Sequence, residues 1–120
     1  MSKKEIIKIA EFLHETIKYW SEVNRDFSMR SWSDSDEWER DFMVECVKVF
    51  AEGGGSTFRS ADMHELWVDL QFKHNKESDN GKYIPNKLWT MLSHWQKKKY
   101  RIIRILASEL IVKEGPVELN

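Results

Sequence analysis

Apolar positions recur at helical spacing in four long stretches of the chain. The first predicts a helix from Lys4 to about Val23. Its stripe is Ile6, Ile9, Ala10, Leu13, Ile17 and Trp20, with Glu5, Lys8, Glu11, Glu15 and Lys18 largely outside it. His14 falls on the edge of that stripe, so a solvated or core-edge imidazole is expected. The second helix is expected from about Asp34 to Glu52, with Trp38, Phe42, Cys46, Val49 and Phe50 inward and Asp36, Glu37, Glu39, Asp41 and Glu45 outward. Ser33, Asp34 and Ser35 are suitable N-caps, and Asp34-x-x-Glu37 fits a variant of the capping box. The clustered carboxylates invite an acid–base or metal reading. Charges that complement the positive end of a helix and a solvated face explain them more simply.

Gly53-Gly54-Gly55 should end that helix. It is not a phosphate loop, because it follows a helix and no Gly-Lys-Ser/Thr accompanies it. The third helix is capped by Ser60 and is expected to continue to about Lys73, with Met63, Leu66, Trp67 and Leu70 on one face. His64 lies three residues before Trp67, which makes imidazole and indole neighbours on one side. Such a pair can hold a flat polar ligand, although an indole at that spacing is more often core. The last stretch predicts a single turn at Pro85–Trp89 and then a long helix to about Val112, with Leu92, Trp95, Ile102, Leu106 and Leu110 inward.

Two connections stand out. Asn24 to Ser33 breaks the helical period, and its Phe27, Met29 and Trp32 are expected to anchor it by packing. His74 to Tyr83 is the most polar stretch, and Asn80-Gly81 is a turn signal that leaves room for a short hairpin between Gln71–His74 and Lys82–Ile84. Gly115-Pro116 stops the last helix and leaves 115–120 as a loose tail. The expected fold is a compact all-α bundle of about four helices in a single domain, residues 1–114, with at most one very short β-hairpin.

Composition narrows the function. With 120 residues, 41% of them hydrophobic, one core can form. Six Trp bring six indole N–H groups that need partners or water, so some are expected in a groove or interface. A net charge of −1 argues against a general nucleic-acid binder. The single cysteine, Cys46, cannot form an internal disulfide and is expected to be a buried, inert thiol. No apolar run is long enough to span a bilayer or resembles a signal peptide, so a reducing cytoplasm is the expected compartment.

The candidate ligand-binding residues are Trp32, Trp38 and Trp67 as flat surfaces, His64 as a polar group, and Arg40, Lys98 and Arg101 as cations. Lys97, Lys98, Lys99, Arg101 and Arg104 form a basic run on the last helix. It reads either as a solvated face that pairs with the acidic helix or as an anion site. No Ser-His-Asp, Cys-His or metal-ligand spacing is found, so neither catalytic residues nor a metal or other cofactor is expected.

Several of these segments, in this order, resemble the ryanodine receptor repeat family, which includes stand-alone prokaryotic and phage domains. The resemblance is carried by Ile9-Ala10, His14 and Trp20, by Asp26-Phe27-Ser28 and Trp32, and by Trp38-Glu39-Arg40, similar to a Trp-x-Arg element. His64-Glu65-Leu66-Trp67 resembles the family's His-x-x-Trp element, and Ile84-Pro85 with Leu88 and Gln96-Lys97-Lys98 resembles its Val-Pro…Leu…Lys segment. The family's Gly-Trp-x-Tyr-Gly hairpin has no counterpart, since the corresponding region reads Phe72-Lys73-His74-Asn75-Lys76. The resemblance implies a small, non-catalytic helical domain that binds a nucleotide-type ligand, with Trp67 at a position associated with stacking. It further suggests a phage protein that sequesters a host nucleotide immune signal. The alternative is a protein-interaction module that binds a host protein or forms a homodimer, which the abundance of Trp also suits.

Overall fold

The computed structural model describes residues 1–78 and 88–114, and side chains for 1–74 and 88–111. Helix α1 spans Lys3–Val23. Its start is a reciprocal cap, in which the Glu5 N–H donates to Ser2 Oγ (3.1 Å) and the Ser2 N–H to Glu5 Oε1 (2.8 Å). Its end is a Schellman-type closure. The Asp26 N–H donates to the Ser21 carbonyl and the Arg25 N–H to that of Glu22. Arg25 takes the left-handed position at φ +66°, where glycine is usual. The inward face buries Ala10, Leu13, His14, Ile17 and Ser21. His14 is thus inside the stripe rather than at its edge, only 5% exposed. Its Nε2–H donates to the Arg30 carbonyl at 2.7 Å, which supplies the partner that a buried imidazole needs.

Helix α2 spans Glu37–Ala51 and begins later than the capping pattern suggested. Trp32–Asp34 forms a 3-10 turn, so Asp34 is not the cap. The box shifts by two residues to Asp36 and Glu39, with Glu39 Oε1 accepting from the Asp36 N–H at 2.9 Å. Phe42, Met43, Cys46, Val47 and Phe50 are buried, whereas Trp38 and Val49 are half-buried. Gly53, at φ +86°, closes α2 with hydrogen bonds from Gly53 to Phe50 and from Gly54 to Val49.

Helix α3 spans Ser60–Ser78. Ser60 is its first residue and not its cap. Arg59 occupies the cap position, with its N–H held by Asp62 Oδ2 at 2.8 Å. Because α3 continues past Lys73, Gln71–His74 is helical and not one side of a hairpin. Lys82–Ile84, the other proposed side, lies outside the described residues, as do Pro85 and the 115–120 tail. A 3-10 turn at Trp89–Met91 precedes helix α4, His94–Glu114. Ser93 and Gln96 cap α4 reciprocally, N–H to Oε1 at 3.0 Å and N–H to Oγ at 3.1 Å.

Among the described residues there are four α-helices and no strand, an all-α bundle. Helix α1 packs on α2 and α4, and α3 packs on the same two. All four contribute to one core, which includes Leu13 and Ile17, Phe42, Met43, Cys46 and Val47, Met63, and Ile103 and Ala107. The core excludes Phe27, which is 72% exposed, so the loop after α1 is anchored by Met29 and Trp32 alone among its three large apolar residues. No described helix is long and apolar enough to cross a membrane. Cys46 is fully enclosed, and burial pushes its thiol well above the usual range, which leaves it an unreactive core group.

The two neighbours Phe12 and Leu13 separate core from surface. Leu13→Ala should cost about 2–5 kcal/mol of unfolding free energy. Phe12→Ala, at a position 54% exposed, should change it by less than about 0.5 kcal/mol. Urea denaturation of both variants checks the assignment.

Candidate functional site

The four helices leave a cleft of about 500 Å³ where the loop after α1 meets α3 and α4. Its apolar side is Ile17 from α1, Phe42 and Met43 from α2, and Ile103 from α4. His64, Trp67 and Gln71 of α3 line it at spacings of three and four residues, one continuous helix face. Opposite them, Gln96, Lys99, Tyr100 and Ile103 form the corresponding face of α4. His64 Nδ1 and the Tyr100 hydroxyl share a hydrogen bond of 2.9 Å across the two helices. Burial pushes the Tyr100 phenol well up, so it remains protonated at physiological pH. Trp67 is half-buried and meets Phe42 edge-on at 5.1 Å and 90°. It is neither sealed in the core nor loose on the surface.

Ser28 and Met29 add a further wall, from a loop held by one carboxylate. Asp26 accepts from Lys99 Nζ at 2.7 Å, from the Trp95 indole N–H at 2.8 Å and from the Ser28 N–H at 3.0 Å. The Lys99 ammonium, followed by Ser28 and Trp95, holds the Asp26 carboxyl well below the usual carboxylate range. Trp95 in turn stacks on Trp20 of α1 at 4.4 Å and 11°. At the rim, Glu39 Oε1 accepts from Arg30 Nη2 at 3.1 Å, and Arg30 also pairs with Asp36 at 3.2 Å. Gln71 Oε1 is buried with no hydrogen-bond partner among the described residues. An acceptor left in that state costs about 1–3 kcal/mol.

Of the residues expected from sequence, His64 and Trp67 meet in the cleft and the others lie off its lining. Trp38 stands behind Trp67, rings 4.7 Å apart. Trp32 packs its ring edge-on to His14 at 5.6 Å, and its backbone N–H donates to Glu15 Oε2. Arg40 is a brace for the loop, with Nη1 donating to the carbonyls of Trp32 and Ser35. Lys98 lies over the Trp20 ring and Arg101 is exposed. The basic run does not act as one patch. Lys97 covers Trp89, Lys99 binds Asp26, and Arg104 Nε donates to the Phe58 carbonyl at 3.1 Å. Among the described residues no ion pair joins the run to the acidic helix.

The sequence reading missed His14, Glu39, Gln71, Lys99 and Tyr100 as lining residues. A signal existed for Gln71, which follows His64 and Trp67 at helical spacing on an otherwise apolar face. Tyr100 is similarly in phase with Ile103 and Ala107. Among the described residues no group of three His, Cys, Asp or Glu side chains could hold a metal ion. The chain matches no protein-family model, no curated protein and no solved structure.

The Asp26 clamp has a definite pH signature. Its folded carboxyl titrates well below the unfolded value of about 3.9. Its contribution is therefore complete above that unfolded value and is lost as pH falls toward the folded one. Asp26→Asn should cost about 1.5–3 kcal/mol at pH 7, the range for hydrogen bonds to charged groups. The gap from the parent should stay constant between pH 8 and 5 and shrink below about pH 4. Guanidinium denaturation across that range measures it.

Proposed function

We propose that the protein is a non-catalytic binding domain whose cleft holds the flat, heterocyclic part of a nucleotide-type ligand. The carrying observation is the single face of α3 that presents His64, Trp67 and Gln71 to a cleft of about 500 Å³. That volume lies in the range of small-molecule sites, which are mostly apolar with a few placed polar groups. Phe42, Trp67 and Tyr100 give it aromatic surface, and the rim gives it polarity. The resemblance of His64-Glu65-Leu66-Trp67 to the ryanodine receptor repeat element supports the same pair of residues. In this reading the protein sequesters its ligand, and the resemblance to stand-alone phage domains suggests a host nucleotide signal as that ligand.

A thermal-shift panel of nucleosides and nucleotides tests the reading. A ligand present at 100 times its Kd should add about 2.7 kcal/mol to stability, and the shift should grow with concentration. Trp67→Phe should remain folded, melt within several degrees of the parent, and bind at least several-fold more weakly, since base–aromatic stacking contributes about 1–3 kcal/mol. A strongly destabilised Trp67→Phe with unchanged affinity would assign Trp67 to packing alone.

One observation favours a second reading, a protein-interaction module. Phe12, Tyr19 and Val23 project from the side of α1 opposite the core and are 54%, 70% and 64% exposed. Large apolar side chains gathered on one exposed face are typical of interaction surfaces. Phe12→Ser with Tyr19→Ser should abolish capture of a protein partner or self-association in sedimentation velocity. It should leave ligand binding in the cleft unchanged.

A further inference from the structure

The charged and polar groups around the cleft are unequally engaged. Among the described residues the lining cation is Lys99, bound to Asp26, and the neighbouring Arg30 is bound to Asp36 and Glu39. Among the described residues, three carboxylates thus accompany two cations, both paired. Arg40, the other nearby guanidinium, is held by two backbone carbonyls. A phosphate entering here would meet paired cations and the charge of Glu39, and would give up its hydration for nothing comparable. The unmet demand is of another kind. Gln71 Oε1 is buried without a partner among the described residues, and the terminal torsion of a glutamine is soft. Because Gln71 lines the cleft, rotation about that torsion is the movement that would present its carboxamide to a ligand. A carboxamide offers an acceptor beside a donor, and its complement is a ligand edge with an amino group beside a ring nitrogen.

We infer that the cleft selects an uncharged aminoheterocycle, of the kind found in 6-aminopurine and 4-aminopyrimidine nucleosides, and that a phosphate adds no affinity. This inference rests on the cleft being a binding site for flat ligands. Gln71 reads the amino edge. Trp67, Phe42 and Tyr100 supply the aromatic surroundings, and any phosphate stays outside the rim. The Glu39 carboxylate disfavours an anion at that rim and tolerates a neutral or cationic ring.

Isothermal titration calorimetry of the full chain with four probes tests this: adenosine, cytidine, purine riboside and adenosine 5′-monophosphate. Expected is binding of adenosine or cytidine, at least tenfold weaker binding of purine riboside than of adenosine if adenosine is the ligand, and no gain from the 5′-phosphate. Gln71→Met, close in volume, should weaken adenosine more than purine riboside and so erase the difference between them. If the monophosphate binds tenfold more tightly than adenosine, or adenosine binds and purine riboside equals it on the parent, the inference is overturned and the cleft remains a site. If none of the four binds, the binding reading itself fails. The comparison of probes on the parent protein decides the matter even if Gln71→Met does not fold.

Discussion

Asp26 lies 69 residues from Trp95 in the chain and 2.8 Å from its indole nitrogen. The site depends on this carboxylate. The Schellman closure of α1, with Arg25 in the left-handed region, turns the chain so that Asp26 points at α4. There it meets an ammonium, an indole N–H and a backbone amide. A partly buried anion with three donors is stable where one with none would not be. The same contact places Ser28 and Met29 over the cleft and removes Lys99 from the pool of cations available to a ligand. One ion pair thus fixes a wall of the cleft and occupies its lysine.

The bundle around that clamp follows from local rules. Reciprocal caps at Ser2–Glu5 and Ser93–Gln96 and the Gly53 closure fix where helices start and stop. The buried polar side chains among the described residues have partners, and for the two imidazoles these come from other segments. His14 meets the Arg30 carbonyl and His64 meets the Tyr100 hydroxyl, so each imidazole joins two segments that are distant in sequence. The Gln71 oxygen, at the cleft, departs from this economy.

Period alone made four helices and most of the core legible in the sequence, because Leu13, Ile17, Phe42 and Cys46 recur at a spacing that only a helix buries on one side. The capping box of α2 was placed two residues early, since Asp34 and Asp36 present the same side chain to the pattern and only the 3-10 turn at Trp32 distinguishes them. The continuation of α3 through His74 was hidden by polar composition, a weak prior when the rest of a helix is already formed. Within the site, His64 and Trp67 were legible as one helix face. Arg40 and Lys98 were not legible as structural groups, because a cation's partner is set by packing between segments: carbonyls of the loop for one, the Trp20 ring for the other. Phe27 shows the converse, an aromatic in a loop that the core does not accept.

The central claim is that a flat ligand enters the cleft beside Trp67. Its most direct test is the set of six indole N–H resonances of the chain, followed in a proton–nitrogen correlation spectrum during titration with adenosine. Trp67 should shift progressively and saturably. Trp95, whose N–H is held by Asp26, and its stacked partner Trp20 should stay in place. A titration in which Trp67 does not move, while binding is registered by other indoles, would contradict the account.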